Sequence, residues 1–440
     1  MTVNCYQYTF TESTIVMNCI EDIKDENTNK NVIKNTLSVS TPSKTKINAQ
    51  SVKPPIWLLV LVTLSGTMAM HIFVPALPLA GADLHASSAS MQQTITLYVV
   101  GLALGQLIYG PISDTWGRRP SLLVGLGIYF SASLVALWAP TVEWLLAARL
   151  CQALGGAAGI TLGRTIVRDT SLPEHAAKNL ALLNLLTLVG PGLAPVAGGY
   201  LADHFGWRSV YIFLVGFGAI MLLCAWRRLP ETIDKRCDLA VRAIAQGYKR
   251  ILSNRRYLGF MVGGACTSAL LFPYLATVPY IVHGQLGYPI SVIGWFTAFT
   301  IIGACLGTFI TRKFAGRVPI SRILYAGAGV GLSMAVLLMV VQWLEWLNGP
   351  LLICITIVMI MGSGMAGPAA LASALASVPW LVGSAAGLYG FSQMAMGAIG
   401  TLVVGIGTEP AQACAVVQIC LSVGALLSYR FAAAQQMSEF

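Results

Sequence analysis

Two ionisable side chains, His71 and Arg149, interrupt long apolar stretches of the sequence, and both are of types that carry chemistry. A charged side chain within hydrocarbon is costly, and it usually faces the protein interior. Histidine can bind and release a proton near neutral pH. We therefore expect both residues along an internal polar path. Arg149 would either orient a substrate or serve as a structural hub that binds carbonyl groups.

Motifs for ATP-driven work and for metal catalysis are missing from the sequence. It contains no G-x-x-x-x-G-K-[ST] phosphate loop, no H-E-x-x-H and no C-x-x-C. Most of the ten Cys residues lie in apolar segments, where Cys acts as a small hydrophobe. These observations predict that ATP is not used directly, that no metal or other cofactor is bound, and that the protein is not an enzyme.

Composition places these residues in a membrane protein. Of the 440 residues, 56% are hydrophobic and only 10% are charged, against about 25% charged in an ordinary soluble domain. The mean hydropathy is +0.72. A soluble protein of this composition would leave much apolar surface in water, and a disordered one needs the opposite composition. Soluble enzymes, fibrous proteins and largely disordered chains are thereby excluded.

Apolar segments long enough to cross a bilayer recur after a polar beginning. Residues 1–54 form a predicted disordered cytoplasmic tail without a cleavable signal, within which Met17 is an alternative start. The remainder predicts an all-α integral membrane fold of twelve spans. They cover roughly 56–80, 91–111, 121–139, 143–163, 178–201, 209–228, 257–281, 290–311, 321–344, 350–376, 381–405 and 409–430.

Charge placement predicts how these spans are oriented. If both termini are cytoplasmic, all 27 Lys and Arg except Arg149 and Arg208 fall on the cytoplasmic side, as the positive-inside rule requires. The net charge of +10 therefore needs no nucleic-acid partner. A basic linker, 229–256, separates two six-helix halves, 55–228 and 257–431, and 432–440 forms a C-terminal tail. Two halves around a central site are typical of secondary transporters.

The short connection between spans 2 and 3 combines glycines with charges. It runs from Gly110 through Asp114, Gly117 and Arg118 to Arg119. Glycine allows close approach and unusual backbone angles, and Asp114 can pair with an arginine or cap a helix. Such a cluster could break and re-form as the halves rock, which predicts a conformational latch. The alternative is a plain helical hairpin with positive anchors.

This connection resembles the signature loop of the major facilitator superfamily. Three further segments agree, namely Arg149 with Gln152, Gly155 and Gly156 in span 4, the proline–glycine run in span 5, and Phe73-Val-Pro75-Ala-Leu-Pro78 at the end of span 1. The proline–glycine run resembles the signature of the drug/proton antiporters of this superfamily, and the end of span 1 resembles their bicyclomycin-resistance (Bcr/CflA) branch. The resemblance covers about residues 55–431 and implies the two-half major facilitator fold. The residues that would bend span 5 are Gly190, Pro191, Pro195, Gly198 and Gly199.

His71 departs from the pattern of this branch, in which an Asp occupies the same position. No Asp or Glu lies in the middle of any predicted span. His71 therefore either carries the protons or acts as a neutral hydrogen-bonding residue. A neighbouring Arg149 would favour the neutral form. If His71 stays neutral, coupling would be weak, absent or located elsewhere.

The resemblance implies a secondary active transporter that expels drugs or antibiotics by proton antiport through alternating access. A multidrug site would be largely apolar and aromatic with few polar groups. The candidates for the substrate or proton path are His71, Arg149, Gln152, Tyr98, Asn184, Tyr274, Trp295, Tyr389 and Gln393. The proton gradient supplies the energy, and the partners are small amphipathic molecules and the lipid bilayer. We expect a monomer in a bacterial inner (plasma) membrane.

Other functions agree with the same sequence. The protein could export a metabolite or siderophore, or could import its substrate, because the sequence of an apolar cavity does not identify the compound that it binds. A transport-incompetent relative acting as sensor or scaffold would explain the missing membrane acid and the long tail. A membrane-embedded enzyme is the most distant alternative, since no candidate catalytic group other than Arg149 and His71 is predicted to lie in the membrane.

Overall fold

The structure is a computed structural model that describes residues 54–170, 179, 182–183, 186–187, 189–232, 241–314, 317–378, 382–406 and 409–437. The predicted tail, apart from residue 54, lies outside the described residues, as do the middle of the linker and the end of the chain. Asn184, a predicted path residue, also lies outside them. All described elements apart from turns and short connections are helical, and the predicted all-helical membrane fold is confirmed.

Eleven helices of the described chain are long and apolar enough to cross a membrane. They match eleven predicted spans and mostly extend past them, because helices continue beyond the lipid into the connections. Their bounds are Ile56–Asp83, Ser88–Trp116, Arg118–Leu137, Val142–Thr170, Arg208–Arg228, Arg255–Gln285, Ile290–Phe314, Ile320–Trp343, Gly349–Ala376, Ser384–Val404 and Pro410–Gln435. They are spans 1–4 and 6–12.

Span 5 is described in part. Its helix Val189–Phe205 is continuous, and several residues before it are also helical. Between spans 6 and 7 lies a short linker helix, Val241–Leu252.

Polar residues and prolines set where the spans begin and break. Asn254 and Asn348 cap spans 7 and 10, each accepting a hydrogen bond from the backbone N–H three residues later. Span 1 tightens to a 3-10 turn at Val74–Ala76, around Pro75. Span 7 is interrupted at Leu270, three residues before Pro273, and proline removes a backbone donor from the helix.

Within each half, one glycine-rich span lies against its neighbours at backbone contact. In span 4, a Cβ at Gly159 would overlap the Val62 carbonyl of span 1. In span 10, a Cβ at Gly364 would lie 2.6 Å from the Ala304 carbonyl oxygen of span 8. Small residues allow this approach, which gives membrane helices most of their packing energy. Spans 4 and 10 therefore have equivalent places in the two halves.

The two halves meet through spans 2 and 11 and through spans 5 and 8. We call the end of the bundle that carries Asp83, Glu143, Asp203, Glu345 and Glu409 the acidic end, and the opposite end, which carries the arginine-rich connections, the basic end. Thr96 donates a 2.8 Å hydrogen bond to Thr401 across the halves, in the part of the bundle near the acidic end. A Cβ at Gly199 would lie 3.0 Å from the Ser291 carbonyl oxygen, also near that end.

Candidate functional site

Arg149 lies at the centre of a buried polar cluster in the first half. Its side chain has no exposed surface. Nη1 donates to the Ala69 carbonyl oxygen of span 1 at 3.0 Å and to Oε1 of Gln152 at 2.8 Å. Arg149 and Gln152 are three residues apart on span 4, so they share a helix face. The two residues predicted from sequence therefore form one unit that joins spans 1 and 4.

A hydrogen-bond chain continues from this unit into span 3. Gln152 donates through Nε2 to Oγ of Ser133 at 2.8 Å, and Ser133 donates to the Tyr129 carbonyl oxygen at 2.7 Å. The Gln152 amide thus accepts a hydrogen bond through its oxygen and donates one through its nitrogen. The chain holds Oε1 towards the guanidinium group, which keeps Arg149 in place.

Aromatic rings surround the guanidinium group of Arg149. Its carbon Cζ lies 4.0 Å from the ring centroid of Tyr98 and 5.2 Å from that of Phe73. Tyr98 is held by its own 2.9 Å hydrogen bond to the Gly66 carbonyl oxygen. The Tyr211 ring lies 5.1 Å from Phe73. Cation–π contacts of this kind contribute about 0.5–2 kcal/mol, the larger values when water is excluded.

Several donors in this cluster remain without a hydrogen bond among the described residues. They are Nε and Nη2 of Arg149 and the hydroxyl groups of Tyr129 and Tyr211, all buried. The Tyr211 hydroxyl faces the guanidinium group but makes no hydrogen bond of good geometry with it. The cluster therefore has unused capacity to bind an acceptor.

Carboxylates are placed differently from Arg149. Within the described part of the chain, every Asp and Glu lies near a helix end or in a connection. They are Asp83, Asp114, Glu143, Asp169, Asp203, Glu231, Glu345 and Glu409. Asp83 accepts hydrogen bonds at the acidic end from Trp207 and Arg208. Arg149 consequently has no carboxylate counter-ion among these residues.

His71 lies in span 1, with 5% of its surface exposed. Its Nδ1 is 2.7 Å from the Thr67 carbonyl oxygen, so Nδ1 carries the proton that is donated. Nε2 is then the basic atom of the neutral ring. The expectation that His71 and Arg149 are neighbours is wrong in this structure. Arg149 contacts the helix face formed by Ala69 and Phe73, and two residues along a helix turn the side chain by about 200° to the opposite face.

The other path candidates among the described residues lie apart from the Arg149 cluster, and each makes contacts with nearby residues of its own half. Tyr274 donates to the Phe296 carbonyl oxygen at 3.1 Å and Tyr389 to that of Gly367 at 3.3 Å, both within the second half. Gln393 donates to Oγ of Ser268 at 2.7 Å. Trp295 is half exposed, and its ring is tilted against that of Phe299, with the centroids 6.1 Å apart. The structure does not bring these four residues to the Arg149 cluster, and their predicted role in substrate passage stays a prediction.

The predicted latch is centred on Arg118, which is 5% exposed. Its side chain pairs with Asp114 at 2.6 Å and with Asp169 at 3.0 Å, and also donates to Ser113. Its backbone N–H donates to a carboxylate oxygen of Glu231 at 2.9 Å. All these residues belong to the first half or to the start of the linker. In this structure the cluster ties spans 2, 3 and 4 together, and its role as a latch between states stays a prediction.

The latch glycines differ from each other. Gly117 has φ of +107°, and a side chain there would overlap the Glu231 carboxylate, so glycine is required. Gly110 has open space where a Cβ would be, so its expected role in close approach is wrong here. Arg119 donates to the Trp226 carbonyl oxygen at 2.9 Å and joins span 3 to span 6.

We expect Arg118→Ala to destabilise the first half by about 1–3 kcal/mol, because it leaves the partly exposed carboxylates of Asp114 and Asp169 without the buried arginine that donates to them. Arg168→Ala removes an arginine whose side chain is 61% exposed and should have an effect below about 0.5 kcal/mol. Thermal unfolding of the two purified variants measures the difference. Equal midpoints would show that the Arg118 cluster does not stabilise this half.

The predicted bend residues of span 5 place it between the two halves. Gly190 packs against Leu64 of span 1, and Gly198 lies against the Ile72 backbone. Gly199, on another face, lies against Ser291 of span 8. Pro195 lies inside the helix, and its carbonyl contacts Gly294 of span 8. Pro191 lies near the beginning of the described continuous helix, and Leu193 two residues later is exposed.

Comparison with known proteins places this architecture in a family. The family model described as Major Facilitator Superfamily matches residues 59–401, most of the chain. The chain belongs to the major facilitator superfamily. Multidrug resistance protein D of Escherichia coli (strain K12) is 30% identical over 338 residues, covering 76% of this chain and 84% of that protein. A Bicyclomycin resistance protein homolog of Haemophilus influenzae is 25% identical, covering 84% of this chain and 94% of that protein.

Solved structures of the major facilitator superfamily share the fold. The xylose transporter XylE of E. coli matches with a TM-score of 0.66 at 14% identity, covering 86% of this chain and 96% of that chain. A structure of the peptide transporter POT matches with a TM-score of 0.70 at 12% identity, covering 86% of this chain and 94% of that chain. The predicted superfamily membership is confirmed, and the relatives named for bicyclomycin and multidrug resistance agree with the predicted branch.

Sequence reasoning missed several members of this major facilitator site. Tyr129, Ser133 and Tyr211 complete the Arg149 cluster, and Asp169 and Glu231 complete the latch. Tyr129 and Ser133 are four residues apart on span 3, which puts them on one face. That face could be recognised in the sequence, but which span it meets could not.

Proposed function

We propose that this transporter expels small amphipathic compounds, including drugs or antibiotics, in exchange for protons. The observation that carries the proposal is the family membership together with relatives named Multidrug resistance protein D and Multidrug transporter MdfA. A largely apolar interior that contains the buried Arg149 cluster fits such substrates. The proton gradient supplies the energy, and no bound cofactor takes part.

The proposed location is a bacterial inner membrane, with several spans and both termini in the cytoplasm. The basic end carries the arginines of the connections, and the positive-inside rule assigns that end to the cytoplasm. Arg208 is an exception at the acidic end, where Asp83 partners it. The proposed partners are the lipid bilayer and the transported compound. The protein would act as a monomer, would bind no nucleic acid and would catalyse no covalent reaction.

The proposed mechanism is alternating access between two halves. Among the described contacts between the halves, those of Thr96 with Thr401 and of Gly199 with Ser291 lie towards the acidic end, and Gly390 lies near the Gln106 side chain farther along spans 2 and 11. This arrangement fits a state that is closed on the outside and opens to the cytoplasm. Transport then requires the contacts at the acidic end to separate.

Cross-linking at the acidic end should stop transport. Thr96 and Thr401 lie across the two halves with their hydroxyl oxygens 2.8 Å apart. In a background lacking the ten native cysteines, we expect Thr96→Cys with Thr401→Cys to react with a short bifunctional thiol reagent and to lose more than nine-tenths of its transport. Each single cysteine variant should keep its activity under the same reagent. Full transport by the cross-linked pair would contradict alternating access at this interface.

His71 is the proposed proton carrier. Its Nδ1–H is held by Thr67, which leaves Nε2 to take up and release a proton. We expect His71→Gln to lower export driven by a pH gradient at least tenfold, while exchange of substrate across the membrane without a gradient continues. Assays in proteoliposomes measure both rates. Undiminished gradient-driven export would move the coupling site elsewhere.

Growth inhibition by a chemically diverse antibiotic panel tests the function itself. A pump-deficient bacterium would express the intact protein, His71→Ala or Arg149→Ala, with membrane levels measured for each. Resistance to several compounds, lost in the variants, is the expected result. No resistance despite good expression would refute drug efflux.

The alternatives remain open to the same panel. Export of a metabolite or siderophore predicts no resistance but normal alternating access in cysteine labelling. A sensor or scaffold that does not transport predicts neither resistance nor alternating access. The absence of a membrane carboxylate among the described residues favours this alternative.

A further inference from the structure

We propose that the Arg149 cluster binds the negatively charged group of the transported compound, so that this protein exports amphipathic monoanions such as aromatic carboxylates. This inference rests on the proposed export function and adds the charge class of the substrate.

The first support is the unused hydrogen-bond capacity of the cluster. Arginine has five N–H donors in a rigid fork. Nη1 bonds to Ala69 and Gln152, whereas Nε and Nη2 have no partner within the described residues although they are fully buried. Polar groups buried in this way are rare unless they serve a ligand or bound solvent.

Two hydroxyl groups extend this capacity. The Tyr129 hydroxyl is buried and has no hydrogen bond among the described residues, and the Tyr211 hydroxyl, also buried, makes none of good geometry. The Tyr211 hydroxyl faces the guanidinium group, and Tyr129 lies within electrostatic range of Arg149. A guanidinium edge with neighbouring hydroxyl donors matches a carboxylate, which has two oxygens and only accepts hydrogen bonds.

The second support is the charge balance. The described carboxylates lie near helix ends or in connections, so no protein anion in that part of the chain neutralises Arg149. Cation–π contacts with Tyr98 and Phe73 compensate only part of the cost of a buried charge. An anion on the substrate would supply the missing charge, whereas a cationic compound would be repelled.

The surroundings of the cluster indicate what the rest of the ligand is. The rings of Phe73, Tyr98 and Tyr211 would contact an apolar or aromatic body better than a polar one. Arg149 has no exposed surface in this structure, so a ligand would reach it only when the aromatic side chains move. Export of a monoanion is also favoured by a membrane potential that is negative inside. An amphipathic monoanion therefore fits both the site and the driving force.

Inorganic chloride shares the anionic charge, so the test must separate it from an organic acid. The purified full-length protein in detergent would be heated with benzoate, benzyl alcohol or benzylammonium, which carry the same ring with charges of −1, 0 and +1. Sodium chloride and sodium gluconate at equal ionic strength form the other arm. We expect benzoate alone to raise the unfolding midpoint, by about 2–5 °C near saturation.

The variants assign the effect to the cluster. Arg149→Gln should abolish the benzoate shift, and Tyr211→Phe should weaken benzoate binding about threefold to tenfold. Arg168→Gln, which removes an exposed arginine of the same span, should leave the shift unchanged. If Arg149→Gln does not fold, Tyr211→Phe provides the same test.

Three results would overturn the inference. They are equal shifts with benzyl alcohol or benzylammonium, a shift with chloride as large as with benzoate, and a benzoate shift that is undiminished in both cluster variants. Failure of drug efflux is a separate outcome. An Arg149-dependent benzoate shift without antibiotic resistance would refute drug efflux and keep the anion site.

Discussion

Replacing Arg149 with methionine should lower export at least tenfold while the protein still folds. The reason lies in the balance of a buried charge. Removing one partner of a buried ion pair is strongly destabilising because it leaves an unpaired charge, but Arg149 has no carboxylate partner among the described residues that its loss would leave unpaired. We therefore expect the variant to lose transport, which needs the cation, while it keeps its fold. Transport in proteoliposomes and the unfolding midpoint, measured on the same preparation, give the two readings.

A purely structural role for Arg149 predicts a different pattern. The variant leaves the Ala69 carbonyl and Oε1 of Gln152 without their donor, at about 1–3 kcal/mol for each unpaired group. The double variant Arg149→Met with Gln152→Leu removes the unpaired amide, and Ser133 keeps its own bond to the Tyr129 carbonyl. We expect the double variant to recover stability and to remain inactive. Recovery of transport along with stability would show that Arg149 is a structural hub.

Adjacent glycines of span 5 should give opposite phenotypes when changed to valine. A Cβ at Gly198 would overlap the Ile72 carbonyl of span 1, within the same half. Overpacking a backbone contact costs typically about 1–3 kcal/mol and sometimes more. Since both helices belong to one rigid half, the strain has no easy release. We therefore expect Gly198→Val to lower the yield and the unfolding midpoint strongly.

Gly199→Val should act on conformation. Its Cβ would lie 3.0 Å from the Ser291 carbonyl oxygen in span 8 of the other half. Separation of the halves at the acidic end releases this strain, so the variant should favour the outward-open state. Faster thiol labelling of a cysteine placed at Thr96 would report that shift, with the unfolding midpoint nearly unchanged.

A third glycine serves as the control for both variants. Gly216 of span 6 has open space where a Cβ would be, so Gly216→Val tests the valine side chain without a clash. It should alter neither labelling nor stability by much. Equal behaviour of the Gly198 and Gly199 variants would contradict the placement of span 5 between the halves.

The latch shows how much of a cluster can be predicted from residue spacing and residue type. Asp114 and Arg118 lie four residues apart in one short connection, which allows them to pair, and the structure contains that pair across the break between spans 2 and 3. Asp169 and Glu231 are distant in sequence, so their joining of the cluster depends on how spans 3, 4 and 6 pack. Gly110, in the same motif as Gly117, shows that a motif position can be open in the structure.

By itself the sequence determined the membrane class, the helical spans and their division between a basic and an acidic end. These properties follow from apolar segment length and charge placement, which are local in the chain. It also singled out His71 and Arg149, because charge in hydrocarbon is costly wherever it occurs. Only the tertiary structure decided that Arg149 of span 4 packs against the face of span 1 that carries Phe73, whereas His71 lies on the opposite face of span 1. It alone placed the Tyr211 hydroxyl group opposite the guanidinium group of Arg149. Contacts of that kind depend on helix rotation and on which spans meet, and several packings satisfy the same apolar pattern.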